Sequence, residues 1–236
     1  MNRRKFMKTL PALTALAGGA TTLPGKAADP DSALRPIALP EPEKDGGESV
    51  LAAMRKRRTI REIHKEKLSL QTLSDLLWAA FGVNRGKAVF GKPGRTAPSA
   101  SNSQEIDLYV AMAEGVFLYE AVPHRLAPVV TGDFRSLAGR NGETTAPVHL
   151  FYIADLNRYD LGAGQPDPSI GDPEVQKSYY YTDTGFIAQN VYLFAASRGL
   201  AAWFRNCRRE DAAREFRLRP EQRVLFAQSV GYPSKS

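Results

Sequence analysis

Apolar residues return every three or four positions between residues 48 and 82, and every second position between 106 and 121. The first period is that of a helix with one buried face and the second that of a strand. Val50, Leu51 and Met54 mark one side of a helix that starts near Glu48 and runs into Arg55, Lys56, Arg57 and Arg58. A second helix is better defined: Ser69 suits the N-cap, Leu70, Leu73, Leu77 and Ala80 form the stripe, and Gly82 closes it. Residues 106–112 and 116–121 flank Ala113, Glu114 and Gly115 as a hairpin. The almost wholly apolar run PVHLFYIA, 147–154, reads as a central strand. A long helix is predicted from about 183 to 198, with Phe186, Asn190, Leu193 and Phe194 on one face and Gly199 as its stop. A short helix near 211–216 and a strand over 224–230 complete an α+β pattern without tandem repeats.

The gaps carry their own information. Residues 28–47 are proline-rich with no apolar period, an extended linker or arm ahead of a single domain over 48–236. Residues 84–104 are rich in Gly, Pro and Ser, a loop too long to be idle. Another polar loop covers 157–173.

Charge changes the picture at the N-terminus. Residues 1–27 have a basic start (Arg3, Arg4, Lys5, Lys8), an apolar stretch over 10–20 and a small-residue end at Ala27, the three parts of a cleavable export signal. The apolar stretch is too short to span a bilayer stably. The run Arg3-Arg4-Lys5-Phe6-Met7-Lys8 resembles the twin-arginine signal, which implies export of an already folded, periplasmic protein. Five of the 32 Lys and Arg, and none of the 25 Asp and Glu, fall in this leader. The remainder has 27 against 25, a net charge of +2, which removes the compositional case for a nucleic-acid partner. The single Cys207 excludes an intramolecular disulfide. His64, His124 and His149 lie far apart, which argues against a metal site.

Four segments carry candidate chemistry. Arg57, Arg58, Thr59 and Arg61 place three guanidiniums and a hydroxyl within five residues, the fork geometry that grips a phosphate. Pro98, Ser99, Ala100, Asn102 and Gln104 belong to a loop of small residues and amides, suited to the edge of a flat heterocycle. In the third, Asp183 suits a helix N-cap ahead of Gln189 and Asn190, and the chain after Gly199 brings the backbone of Ala202, Trp203 and Phe204 to a site. The fourth is the turn Gly231-Tyr232-Pro233.

In this order the four segments resemble the nitroreductase family of FMN-dependent oxidoreductases over residues 48–236. The resemblance implies a nitroreductase-like α+β fold, an antiparallel or mixed sheet surrounded by helices, in a segment-exchanged homodimer with FMN at the interface. It implies that Arg57, Arg58, Thr59 and Arg61 hold the phosphate and pyrimidine side, and that the loop from Pro98 to Asn102 reaches the flavin from the neighbouring subunit. A backbone N–H from the turn at Ala202, Trp203 and Phe204 is expected at the flavin, and Lys235 as a late basic contact. The hairpin from Glu114 to Tyr119, followed by His124-Arg125-Leu126, resembles the SagB-type (thiazole/oxazole dehydrogenase) branch, which oxidises peptide azolines. Two departures stand against a simple transfer: Asn102 is closer to the classical nitroreductase loop, and Glu105 replaces the Pro common in both. The alternative is a non-catalytic periplasmic flavin-binding protein.

No side chain is nominated as an acid or base, since the flavin carries the chemistry. Tyr179, Tyr180 and Tyr181 are expected in surface and strand-edge packing, and Cys207 as a small packing residue. The substrate is a small molecule, and with free NAD(P)H not expected in the periplasm, the expectation is either a membrane quinol or redox partner as electron donor or an enzyme that works as an oxidase or dehydrogenase. Replacing Arg3 and Arg4 by Lys should leave flavin-loaded precursor in the cytoplasm. Fractionation after expression checks this, and an unchanged periplasmic yield would mean an ordinary secretory route.

Overall fold

The structure, a computed structural model, describes residues 34–88, 91–139, 146–160 and 168–234, so the leader and Lys235 lie outside the described residues. The elements are β1 (Ile37–Ala38), α1 (Val50–Lys56), α2 (Leu70–Phe81), β2 (Val83–Arg85), β3 (Gly94–Arg95), β4 (Ile106–Ala111), β5 (Gly115–Glu120), β6 (Arg125–Thr131), β7 (Val148–Asp155), α3 (Pro173–Ser197), β8 (Ala201–Arg205), α4 (Arg209–Glu215) and β9 (Gln222–Gly231). Seven strands form one sheet in the order β1-β6-β5-β4-β7-β9-β8, while β2 and β3 form a separate hairpin. Every pairing is antiparallel, so the antiparallel form of the expected α+β sheet is the one observed.

β7 lies between β4 and β9, and β4 and β7 are buried on both faces, which is why their sequences read as continuous apolar runs. On one face Leu73, Leu76, Leu77 and Ala80 of α2, with Ile187, Val191 and Ala195 of α3, pack on Leu108, Val110, Leu150 and Val230. On the other, Ala212 of α4 and Phe216 pack on Tyr109, Phe151, Ile153 and Ala227, with Cys207 filling space among them as expected. Tyr152, fully buried, donates to Gln228 Oε1 at 2.5 Å, and Gln228 Nε2 donates to the Ala188 carbonyl at 3.3 Å, so this polar pair ties sheet to helix without an orphaned group.

α2 starts and stops where the pattern places it: Ser69 Oγ accepts the Thr72 amide at 3.0 Å, and the Gly82 amide donates to Trp78. Four elements differ from the sequence reading. α3 begins ten residues earlier, at Pro173, and its N-cap is Asp172, whose Oδ1 accepts the Glu174 amide at 2.8 Å. Residues 174–182 are polar and tyrosine-rich, so they show no apolar stripe, yet nothing in them breaks a helix. Asp183 therefore sits in mid-helix, and Phe186 faces outward. Ala202, Trp203 and Phe204 are not in a turn: Gly199, at φ +68°, reverses the chain directly into edge strand β8. β6, which has no clean alternation and contains Pro128, escaped the period-two reading. Val50, Leu51 and Met54 of α1 point away from the core, at 62, 78 and 52% exposure, and Ala53 is the residue that α1 buries.

The stretch read as a linker is tied down from residue 34 onward. β1 pairs with β6, Leu39 is buried, and the Glu43 amide donates to Asp75 Oδ1 at 2.8 Å. His124 explains the fastening: its two ring nitrogens meet Ser74 Oγ at 2.7 Å and Tyr119 Oη at 3.0 Å, while Ser74 Oγ donates to the Pro40 carbonyl at 2.6 Å.

Truncating Leu76, fully buried between α2 and the sheet, should cost about 2–5 kcal/mol. Denaturant unfolding of Leu76→Ala should show a lower midpoint with an unchanged slope.

Candidate functional site

The segment that leaves α1 is stitched along the outer edge of β8 and the end of β9. The Ile60 amide donates to the Ala202 carbonyl at 3.1 Å, the His64 amide to the Tyr232 carbonyl at 2.8 Å and the Ser234 amide to the Glu62 carbonyl at 3.0 Å. Ile63 and Pro233 form an isolated bridge. Gly231 permits this approach, because a Cβ there would lie 2.7 Å from both Ile63 and Pro147. The first, third and fourth candidate segments thus converge, and the turn Gly231-Tyr232-Pro233 is the surface on which the arginine segment rests.

Within it, Arg57 is half-buried at the C-cap of α1, with its guanidinium 5.5 Å from the centre of the Tyr192 ring. Arg61 lies 5.6 Å from the Trp203 ring, and Arg205 3.7 Å from the same ring. Lys56 is ion-paired with Glu48, whereas among the described residues no carboxylate pairs with Arg57, Arg58 or Arg61. Two guanidiniums held at ring faces, with a third next to one of them in the chain, and no carboxylate partner among the described residues, leave their donor forks available to an anion.

Tyr192, which the sequence reading passed over, joins these parts. Its hydroxyl lies 3.0 Å from Thr59 Oγ1 and accepts the Phe204 amide at 2.9 Å. The Thr59 hydroxyl and the Phe204 N–H therefore already have a partner within the chain. The only sequence signal was its place, two residues beyond Gln189-Asn190 on a helix whose apolar face was assigned elsewhere.

The loop over 98–104 is held at another point of α3. Asp183 Oδ2 accepts the Ala100 amide at 2.9 Å, which is what this carboxylate does in place of capping a helix. Ser99 Oγ accepts the Gln104 amide at 3.0 Å, and the Gln104 side chain donates to the Pro93 carbonyl and to Asn102 Oδ1 while accepting from Arg95 Nε at 2.8 Å. Ser101, Asn102 and Gln104 have φ of 50°, 51° and 55°. Non-glycine residues held there cost of order 1 kcal/mol or more each and persist only where the surroundings impose them. Pro98, Ser99, Ala100, Asn102 and Gln104 are thus parts of one constrained loop. Asp183 and Tyr192 are nine residues apart on α3, roughly 13 Å along the axis. One chain brings the arginines together with β8 and keeps the 98–104 loop at a separate station on the same helix.

Two nucleophilic or titratable groups nearby are inert at neutral pH. His149 is buried, which with the nearby Arg135 and Arg205 lowers its pKa to about 3, and its Nδ1 lies 2.9 Å from Ser229 Oγ. Burial pushes the Cys207 thiol up to about 11.

A family model described as the nitroreductase family matches residues 54–232. A protein of Methanocaldococcus jannaschii named as a nitroreductase is 31% identical over 175 residues, spanning 70% of this chain and 80% of that one. The crystal structure of a Ralstonia eutropha protein, also named as a nitroreductase, is 32% identical with a TM-score of 0.76, covering 92% of this chain and 97% of its own. An Escherichia coli microcin synthetase complex, solved with a truncated pro-peptide bound, shares the fold at 19% identity and a TM-score of 0.62, over 77% and 71% of the two chains.

Tyr192→Phe keeps the ring under Arg57 and removes the hydroxyl from Thr59 and Phe204. It should destabilise by about 0.5–1.5 kcal/mol and raise amide exchange at Phe204 more than at any β7 residue. Equal exchange in the two proteins would show that the hydroxyl does not hold the edge strand.

Proposed function

Because the chain belongs to the nitroreductase family, whose members are oxidoreductases, we propose that it is an exported FMN-dependent oxidoreductase that acts as a segment-exchanged homodimer on a small-molecule substrate. The observation that carries this reading is the pair of guanidiniums of Arg57 and Arg61, held at the Tyr192 and Trp203 rings with Arg58 next to Arg57 in the chain, none of the three having a carboxylate partner among the described residues. An FMN phosphate is the anion whose charge and several terminal oxygens, each pair able to face a planar guanidinium fork, match that set.

The residues present fit the group. Arg57, Arg58 and Arg61 would bind the phosphate side, while the edge formed by Ala202, Trp203 and Phe204 adjoins them. Trp203 and Tyr192 stiffen Arg61 and Arg57 through their ring faces, which lowers the entropy lost on binding. Bound FMN supplies the electron-transfer chemistry, and the chain's own work is to orient substrate and exclude water.

A second chain is favoured by two features. Val50, Leu51 and Met54 on α1, with Phe186 on the neighbouring α3, present large apolar side chains to water. Burying each is worth about 1.5–3 kcal/mol, and a like surface on another copy provides the means. The 98–104 loop, stationed away from the arginines of its own chain, suits a site completed by a partner. The hairpin carrying Tyr119 and His124 supports a SagB-type dehydrogenase reading. In this reading the twin-arginine leader delivers a loaded, folded dimer to the periplasm, with a membrane quinol or redox protein as electron donor.

Arg57→Ala or Arg61→Ala should weaken FMN binding roughly ten- to a hundredfold and riboflavin binding far less, because riboflavin has no phosphate. Lys56→Ala, which removes an exposed ion pair with Glu48, should change neither. Fluorescence titration checks the set, and equal losses for FMN and riboflavin would remove the arginines from the phosphate.

A further inference from the structure

The residue that follows the constrained loop is Glu105, and it is completely buried. Its Oε2 accepts from Ser103 Oγ at 2.6 Å. The Asp183 carboxyl, likewise buried, lies within hydrogen-bonding reach of it while Asp183 Oδ2 takes the Ala100 amide. Among the described residues Glu105 Oε1 receives no hydrogen bond. Two ionised carboxylates are acceptors only and repel each other, so neither can satisfy the other. One proton between them supplies the missing donor and removes the repulsion.

The surrounding groups do not neutralise both carboxyls. The Tyr159 hydroxyl, from the turn after β7, has Glu105 and the Gln176 carbonyl, at 3.2 Å, as acceptors for its one proton, with Tyr180 of α3 close by. Lys92, ahead of β3, also faces Glu105, but its Nζ donates to the Ser103 carbonyl at 2.8 Å. Arg158 donates to the Gln104 carbonyl at 2.7 Å and to Asp107 Oδ1 at 2.5 Å. Asp183 itself feels burial, Glu105 and the Ala100 amide. Every one of these contacts lies on the 98–104 loop or on the parts of the fold that hold it.

We propose that Glu105 is a positioning residue which, by sharing a single proton with Asp183, keeps the 98–104 loop closed on α3, so that loss of the proton loosens the loop and any cofactor that depends on it. The link to FMN affinity rests on the function proposed above, whereas the link to loop closure does not.

The direction with pH follows from geometry and charge. Burial, then the neighbouring Glu105, raise the Asp183 pKa to about 8, while an opened loop returns the carboxyl to water, where it ionises near pH 4. The closed state therefore holds a proton that the open state lacks between those values. Opening becomes easier by up to about tenfold per pH unit over that window and levels off above about pH 8, where the closed pair has also lost the proton. With Pro at 105 there would be no second carboxyl, and only the burial of Asp183 would remain to raise its pKa, leaving a weaker dependence.

The test is hydrogen exchange of the 98–104 amides in the full chain from pH 6 to 8, corrected for intrinsic rates, with and without added FMN. Wild-type protection at Ala100 should fall at least about tenfold, whereas Glu105→Gln, which can still accept from Ser103 and can donate to Asp183, should stay within about threefold. Asp183→Asn makes the same prediction from the other side if Glu105→Gln does not fold. FMN affinity should track protection in each protein. A flat wild-type profile, or the same slope in Glu105→Gln, overturns the proposal. A slope that Glu105→Gln removes, in protein that binds no FMN, would uphold the carboxyl pair and sink the FMN reading instead.

Discussion

The burial of Ile187, Val191 and Ala195 against the sheet fixes helix α3, and everything that surrounds the candidate site is measured from that helix. Its other faces are then free to carry polar fastenings in register. Asp183 takes the backbone of one loop, Asn190 Nδ2 donates to the Ala80 and Thr96 carbonyls, and Tyr192 receives the edge strand and the arginine segment. A rotation of α3 by one residue would turn all of these away from their partners and bury a charge in exchange for an apolar group. The apolar contacts therefore set the register, and the polar ones read it out.

This division explains what was legible in the sequence. α2 and the β4–β5 hairpin could be read because caps, stripe and turn agree locally, and β7 because burial on both faces leaves an unbroken apolar run. The arginine segment and the 98–104 loop were visible as unusual composition in a fixed order. The first half of α3 was not, since its residues bury little and Asp183 imitates a cap. β8 looked like a turn because an edge strand of five residues after a glycine has no period long enough to detect.

Tyr192, and the part played by Glu105, were illegible for a different reason. Each matters through a partner distant in sequence: Thr59 is 133 positions from Tyr192, and Asp183 is brought to Glu105 only by the packing of α3 on the sheet. The hairpin of Tyr119 and His124 was noticed as a motif and proves to have a structural use, since it fastens the arm that precedes α1. A residue pattern noticed as a motif can thus have side chains that serve stability.

The placing of Trp203 has an optical consequence. Its indole lies under two guanidiniums, one from the arginine segment and one from its own strand, whereas the chain's other tryptophan, Trp78 on α2, is anchored by a hydrogen bond from its Nε1 to the Val83 carbonyl. A cation over an indole face shifts its excited state through the same charge–quadrupole attraction that holds it there. The emission of Trp203 therefore responds to the position of Arg61 as well as Arg205, so the molecule contains its own reporter on the segment that would grip an anion.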